Sequence, residues 1–466
     1  MSDVSSQGRQ LALQLAAQTL EEGLFIDTLT RRVRFPTESQ NPDASSHLHR
    51  YLIEEIQPTL EALGFDCEIY PNPIESCPPL LIAKRIEDDA LPTLLTYGHG
   101  DVTNGQAELW QAGTHPWTLS QIGEQIFGRG TADNKGQHTI NLMALASVLE
   151  ARQGKLGYNI KVLFEMSEEI GSKGLEHFCR EHKDALQADV FLASDGPRLN
   201  AHTPTIFLGS RGVCQFRLRC ETGNGDRHSG NWGGVITNPA IRLQHALASL
   251  TTADGRVTAT CLRAPLPNGV AAEMMRELTI GGSASDPVLN DQWGEVQLSD
   301  GERLFGCNTL EVIALGAGDI NKPIGVIPNV AEAVCHLRIV PGTDWQNLVA
   351  NLTAFLEEQG LGDVKVLYDG GYNATRLDPA HPWVGFVKTS METSLGQTVT
   401  VLPNLGGTIP NHCFADVLAL PTVWMPHSYP SCKQHAPDEH LLESIVKQGL
   451  LSAAGVFWDL GEHWPS

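Results

Sequence analysis

The chain has 466 residues, 41% of them hydrophobic, with a formal net charge of -22 and a sequence pI near 5.1. That length exceeds one ordinary core and predicts two domains, while the acidity excludes a nucleic-acid binder, which needs a basic surface. No stretch reaches the roughly 18 to 20 apolar residues of a membrane span, so no membrane partner is expected, and ten scattered cysteines without a Cys-x-x-Cys pair predict reduced thiols in a cytoplasmic protein.

The N-terminal stretch MSDVSSQGRQLALQLAAQTLEEGLF lacks a basic region leading into an apolar core and cleavage site. It reads as a helix capped near Ser5 or Ser6, not as a signal peptide. From Leu80 to Asp195, strand, loop and helix alternate, as they do in parallel α/β folds. The runs LPTLLTYGHGD, NIKVLFEMSEE and ADVFLASDG each predict a buried parallel strand that stops where polar residues begin. Apolar spacing at Ile140, Met143, Ala144 and Ser147 predicts a helix from Asn134 to Arg152, and a second helix is expected from about Lys173 to Glu181.

Around Ile206 the pattern changes. FLGSRGVCQFRLRCET alternates like a strand with one exposed face, and a helix at Asn238 to Ser249 follows. A long irregular stretch is expected to about Gly318, then a strand in VAEAVCHLRIVP, a helix near Thr343 to Glu358 and a strand in KVLYDGGY. After Leu377, helices at His381 to Leu395 and Asp438 to Phe457 rejoin the first domain. The expected class is α/β: a catalytic domain (residues 1–205 and 375–466) with a mostly parallel central sheet flanked by helices, and an inserted α+β domain (206–374).

The predicted strand ends collect His99, Asp101, Glu168, Glu169 and Asp195. Ligands bind outside the carboxyl ends of strands in open α/β sheets, so these side chains suggest a site for two or more cations and hence hydrolysis. His99 and Asp101 are two residues apart, and an extended backbone turns both to one side. Asp101 then either orients the imidazole or belongs to the neighbourhood of a bridging ligand. Glu168 and Glu169 diverge as adjacent side chains, so one binds metal while the other takes a proton from water; two such charges side by side need a compensating cation. Asp133, in the glycine-rich GRGTADNKGQ, is either a helix N-cap or a rigidly held bridge between cations. On spacing alone His427, His435 and His440 compete for a closing ligand.

Four motifs occur in order: Tyr97-Gly-His-Gly-Asp101-Val, Gly128-Arg-Gly-Thr-Ala-Asp133-Asn-Lys-Gly, Ser167-Glu-Glu-Ile-Gly171 and Ser194-Asp-Gly196. Together they resemble the family of aminoacylase, carboxypeptidase G, carnosine dipeptidase and acetylornithine deacetylase, dinuclear zinc metallopeptidases, and most of all its dipeptidase-like branch. The resemblance implies that His99, Asp133 and Asp195 hold one cation and Asp133, Glu169 and His435 the other. It makes Asp133 the bridge, often followed by a cis peptide, Glu168 the general base and Asp101 the orienter of His99. His435 is chosen because His-Ala-Pro-x-Glu resembles the family's last ligand.

The inserted domain resembles the family's lid, which also carries dimer contacts, so a homodimer is expected. Asp226-Arg-His228-Ser-Gly-Asn-Trp-Gly-Gly is similar to the lid histidine motif, implying that His228 stabilises the oxyanion of a neighbouring subunit; Arg227 replaces the usual leucine. Arg338 matches an arginine that holds the substrate's terminal carboxylate, a task suited to its planar fork. Gly406-Gly407-Thr408-Ile-Pro410 resembles the Gly-Gly-Ser-Ile-Pro of the dipeptidases, where backbone and hydroxyl contact the substrate. Gly325 stands where carnosine-type dipeptidases often carry threonine, which argues against strict carnosinase specificity. The expected activity is hydrolysis of a dipeptide with two divalent cations per subunit, zinc by default and manganese or cobalt otherwise. The alternatives are an amidohydrolase for N-acyl or N-carbamoyl amino acids and an inactive binding or dimerisation module.

Overall fold

The computed structural model describes residues 3–223, 225–281 and 286–465. The chain divides into two compact units, one of Met1–Gly209, Leu377–Leu402 and Ile409–Ser466, the other of Ser210–Arg376 and Pro403–Thr408.

The first unit is built on an eight-stranded sheet. At its centre Asn159–Glu165, Thr93–His99, Val190–Ala193 and Thr422–Trp424 run side by side and parallel. Asp66–Tyr70 and Leu80–Arg85 add an antiparallel margin, and Thr205–Phe207 with Thr400–Leu402 forms the opposite one. Every residue of Asn159–Glu165 and Val190–Ala193 is buried, because helices cover both faces; this explains why the runs are continuously apolar rather than alternating. Helix Lys135–Ala151 packs on Glu443–Leu460, which also meets Asp3–Glu21 and Pro382–Leu395. The apolar faces of these helices and the sheet form one core that includes Ile140, Val148, Val162, Phe164, Val446 and Leu450.

The second unit is a four-stranded antiparallel sheet, ordered Thr309–Gly316, Val330–Ile339, Gly212–Glu221, Val364–Tyr372. In Val330–Ile339 every second residue from Ala331 to Ile339 is buried, and these side chains meet helices Pro239–Leu250 and Leu348–Glu358 on one face.

Several expected boundaries move. The first helix already includes Asp3, so Ser5 and Ser6 lie within it instead of capping it. The alternating run that opens at Phe207 is two strands, Thr205–Phe207 in the first sheet and Gly212–Glu221 in the second. The final helix starts at Glu443, because His440–Leu442 pairs with Gln125–Phe127 as a strand. The stretch expected to be irregular holds helices Gly269–Glu277 and Asp300–Gly306 and the strand Thr309–Gly316. A capping box closes the second helix: Ser299 accepts the N–H of Glu302, whose carboxylate accepts the N–H of Ser299. The strand escaped a periodicity reading because it is an exposed edge with a bulge between Val312 and Ala314. Residues 282–285 of the stretch lie outside the described residues.

Candidate metal centre

At the carboxyl edge of the parallel strands the chain delivers side chains from five places. His99 ends its strand, Asp195 follows Val190–Ala193, and Glu168 and Glu169 sit in a 3-10 turn beyond Asn159–Glu165. Asp133 comes from the loop before helix Lys135–Ala151, and its peptide bond to Asn134 is cis. His435 lies in a loop after the turn Pro430–Cys432, with a φ of 61° that a non-glycine residue rarely adopts. Such outliers concentrate at functional sites.

These side chains form two groups that share Asp133. His99 Nε2 lies 3.1 Å from Asp133 Oδ1 and 3.7 Å from Asp195 Oδ2. His435 Nε2 lies 3.1 Å from Asp133 Oδ2 and 3.0 Å from Glu169 Oε2. In each group one ligand atom per residue falls within 4.8 Å of the others. The two oxygens of one carboxylate thus face two different sets of donors.

The electrostatics fit cations. Burial pushes Glu168 well above the usual carboxylate range, and it pushes Glu169 up to about 7 and Asp195 up to about 6. Burial also pushes on Asp133, but hydrogen bonds from His435 and His99 outweigh it and hold that carboxyl below its ordinary value. Burial opposes a charge on His99, yet hydrogen bonds to Asp101 and Asp133 raise its pKa well above the usual value. The hydrogen bond to Asp133, then the one to Glu169, raises His435 to about 11. Five carboxylates (Asp101, Asp133, Glu168, Glu169 and Asp195) share this edge with two imidazoles, so full ionisation needs added positive charge. The mixed imidazole and carboxylate donors form two groups that could each hold a divalent cation, His99, Asp133 and Asp195 in one and Asp133, Glu169 and His435 in the other.

The supporting groups are as specific. Asp101 is fully buried, and its Oδ1 lies 3.3 Å from His99 Nδ1. The same carboxylate accepts the N–H of Glu168 at 3.1 Å and of Glu169 at 3.0 Å. Two further carboxylates, which no sequence motif singles out as ligands, brace the site. Glu165, buried beneath the turn, accepts the hydroxyls of Tyr97, Ser167 and Ser172 at 2.7, 3.1 and 2.8 Å. Ser167 and Ser172 flank the Glu168–Glu169 pair, so Glu165 grips the turn at both ends. Glu439 accepts the N–H groups of Gly130, Ala132 and Asp133 and pairs with Arg129 Nη1 at 2.9 Å. The only sequence signal for Glu439 was its place in His-Ala-Pro-x-Glu; Glu165 was hidden as the polar end of an apolar run.

The competing histidines are engaged elsewhere. His427 Nε2 contacts Asn141 Oδ1 at 3.1 Å, and His440 Nε2 contacts the hydroxyl of Tyr429 at 2.6 Å. In the second unit Arg338 Nη1 donates to Thr408 Oγ1 at 2.8 Å, beside Gly407. His228 is exposed on a two-residue strand paired with Val326–Ile327, and the neighbouring Ser229 N–H donates to Gly325 O at 2.8 Å.

The model of peptidase family M20/M25/M40 matches residues 95–457. The chain belongs to this family. Among curated M20 relatives, the mouse Beta-Ala-His dipeptidase is 35% identical over 183 residues, 39% of this chain and 37% of that protein. The Cys-Gly metallodipeptidase DUG1 of Candida albicans is 29% identical over 272 residues, 53% of this chain and 54% of that protein. The chain spans 37% to 54% of the length of the curated relatives it matches. The crystal structure of human carnosine dipeptidase 1 shares the M20 fold, with a TM-score of 0.78 at 22% identity, over 98% of this chain and 99% of that one.

Proposed function

We propose that the chain is a metal-dependent dipeptidase, and the observation that carries this reading is the pair of donor groups sharing Asp133 with Glu168 beside them in neither group. The similarity to Beta-Ala-His and Cys-Gly dipeptidases supports a dipeptide substrate. When bound, the two cations supply Lewis acidity at the scissile carbonyl and make water acidic enough to attack at neutral pH.

The residues do the rest. Glu168 takes the proton of the attacking water and passes it to the leaving amine. Asp101 fixes the His99 ring and the backbone under Glu168 and Glu169. His228, from a partner subunit, stabilises the oxyanion, while Arg338, Gly407 and Thr408 hold the substrate's terminal carboxylate. We assign zinc as the metal, the cytoplasm as the compartment and a homodimer as the assembly. The exposed edge strand Thr309–Gly316, with Val312, Ile313 and Leu315 uncovered, supports pairing through the second unit. Among the described residues no helix is long and apolar enough to cross a membrane.

The test is a substrate panel with zinc- and manganese-loaded protein. Dipeptides with a free carboxylate should be hydrolysed, and C-terminal amides, N-acetyl and N-carbamoyl amino acids should be poor. Faster turnover of the acyl or carbamoyl compounds would replace the dipeptidase reading with an amidohydrolase one.

A further inference from the structure

The second unit contains a cavity of about 340 Å³ whose wall includes none of Arg338, Gly407 and Thr408. Val257, Leu289, Trp293 and Leu304 give it an apolar lining, and Thr309 and Glu311 close one side. Its volume is at the small end of ligand sites, which run from roughly 300 to 1,000 Å³. A large apolar side chain fits within it with room to spare.

Strand register puts this cavity next to Arg338. Thr309 is the direct antiparallel partner of Arg338, and Glu311 is the partner of His336. Residues opposite one another in such a pair project to the same face, with Cβ atoms about 4.5–5.5 Å apart. Ala331, Ala333, Cys335, Leu337 and Ile339 turn to the helix-covered core, so Arg338 and His336 face away from it, and Thr309 and Glu311 with them. Arg211 ties the pieces together: Nη1 reaches Thr309 Oγ1 at 3.5 Å, and Nε donates to Gly406 O at 2.7 Å. On the other flank, a Cβ added to Gly406 would lie 3.5 Å from Leu304 Cδ1. The cavity, the Gly406–Thr408 turn and the Arg338 guanidinium are therefore contiguous.

We propose that this cavity takes the side chain of the residue whose carboxylate Arg338 holds, and so selects dipeptides with a long apolar C-terminal residue. The inference rests on the dipeptidase reading. Arg338 shares its sheet face with Thr309, which lines the cavity, so a side chain next to a carboxylate on Arg338 has the cavity as its apolar neighbour. Glycine and alanine leave the lining wet. Charged side chains must shed water against the apolar part of this wall; of its charged members, Asp300 pairs with Arg303 and Glu295 with Arg263, which leaves Arg256 and Glu311.

The metal-loaded protein would be assayed with Ala-Gly, Ala-Ala, Ala-Leu, Ala-Phe and Ala-Glu, so that only the C-terminal residue changes. Burial of a leucine-sized side chain predicts kcat/KM for Ala-Leu and Ala-Phe roughly 10- to 100-fold above Ala-Gly. Leu304→Trp and, independently, the half-exposed Leu289→Trp each fill part of the cavity and should shrink that ratio. Equal rates across the series, or a ratio that survives in both filled variants, overturns the cavity's role while leaving the dipeptidase reading intact. Absence of any dipeptide turnover by the wild-type protein overturns both.

Discussion

The carboxylate of Asp101 accepts the backbone N–H of Glu169 through Oδ2 at 3.0 Å. Its other oxygen accepts the N–H of Glu168 and lies 3.3 Å from His99 Nδ1. Asp101 therefore sets the His99 imidazole, through its carbonyl oxygen 3.1 Å from Nδ1 as well as through its carboxylate, and the two carboxylates beyond the neighbouring strand. Asp101→Ala should lower both metal affinity and kcat by about 10- to 100-fold, the usual effect of losing such a partner. Metal titration and steady-state kinetics check this; a variant with normal values for both would remove Asp101 from the site.

Glu168 belongs to neither donor group, so its removal should separate chemistry from metal binding. Glu168→Gln keeps the size of the side chain and loses the basic oxygen. Its kcat should fall by about 10²- to 10⁴-fold with metal content unchanged. Turnover near the wild-type value would refute its role as base.

Glu439 holds the Asp133 loop through three backbone N–H groups and pairs with Arg129, both side chains being 1% exposed. Glu439→Ala leaves the guanidinium buried without its partner, which costs about 3–5 kcal/mol. The expected outcome is a large drop in denaturant midpoint together with weaker metal binding, since the backbone of Asp133 loses an anchor. Glu439→Gln keeps the shape and should be milder. An unchanged midpoint for the alanine variant would show that Arg129 finds solvent instead.

The strand ends were legible because continuous apolar runs stop abruptly at His99, Ser167 and Ser194, and burial on both faces leaves no other reason for that pattern. The groups that organise them were not. Glu165 meets Tyr97 across a strand pair and Ser167 and Ser172 around a turn, and Glu439 lies 306 residues from Asp133, whose N–H it accepts. Hydrogen-bond partners at such separations have no local signature. In the second unit, helices of nine and seven residues and a bulged edge strand carry too few buried positions to show a period. The cavity wall, assembled from that same stretch, was invisible for the same reason.

Metal binding should expel protons, and the geometry gives the sign. His435 Nε2 lies between Asp133 Oδ2 and Glu169 Oε2, which raise its pKa to about 11, so its ring holds a proton at neutral pH when the protein is stripped of cations. Burial raises Glu169 to about 7 and Asp195 to about 6. Each raised pKa means that the stripped folded chain binds protons more tightly than the unfolded one. The stabilisation from Asp195 and Glu169 is therefore present at low pH and lost as pH rises from their ordinary values to about 6 and 7; that from His435 is lost progressively from its ordinary value of 6.5 to about 11. A cation competes for the same atoms, so its affinity must rise with pH as these protons become easier to displace. Titration calorimetry at pH 7 in two buffers of different ionisation enthalpy should show buffer-dependent heats corresponding to net proton release. The gap in melting temperature between loaded and stripped protein should widen from about pH 6 to about pH 8. Heats independent of buffer, with a constant gap, would mean that these side chains are not the cation ligands.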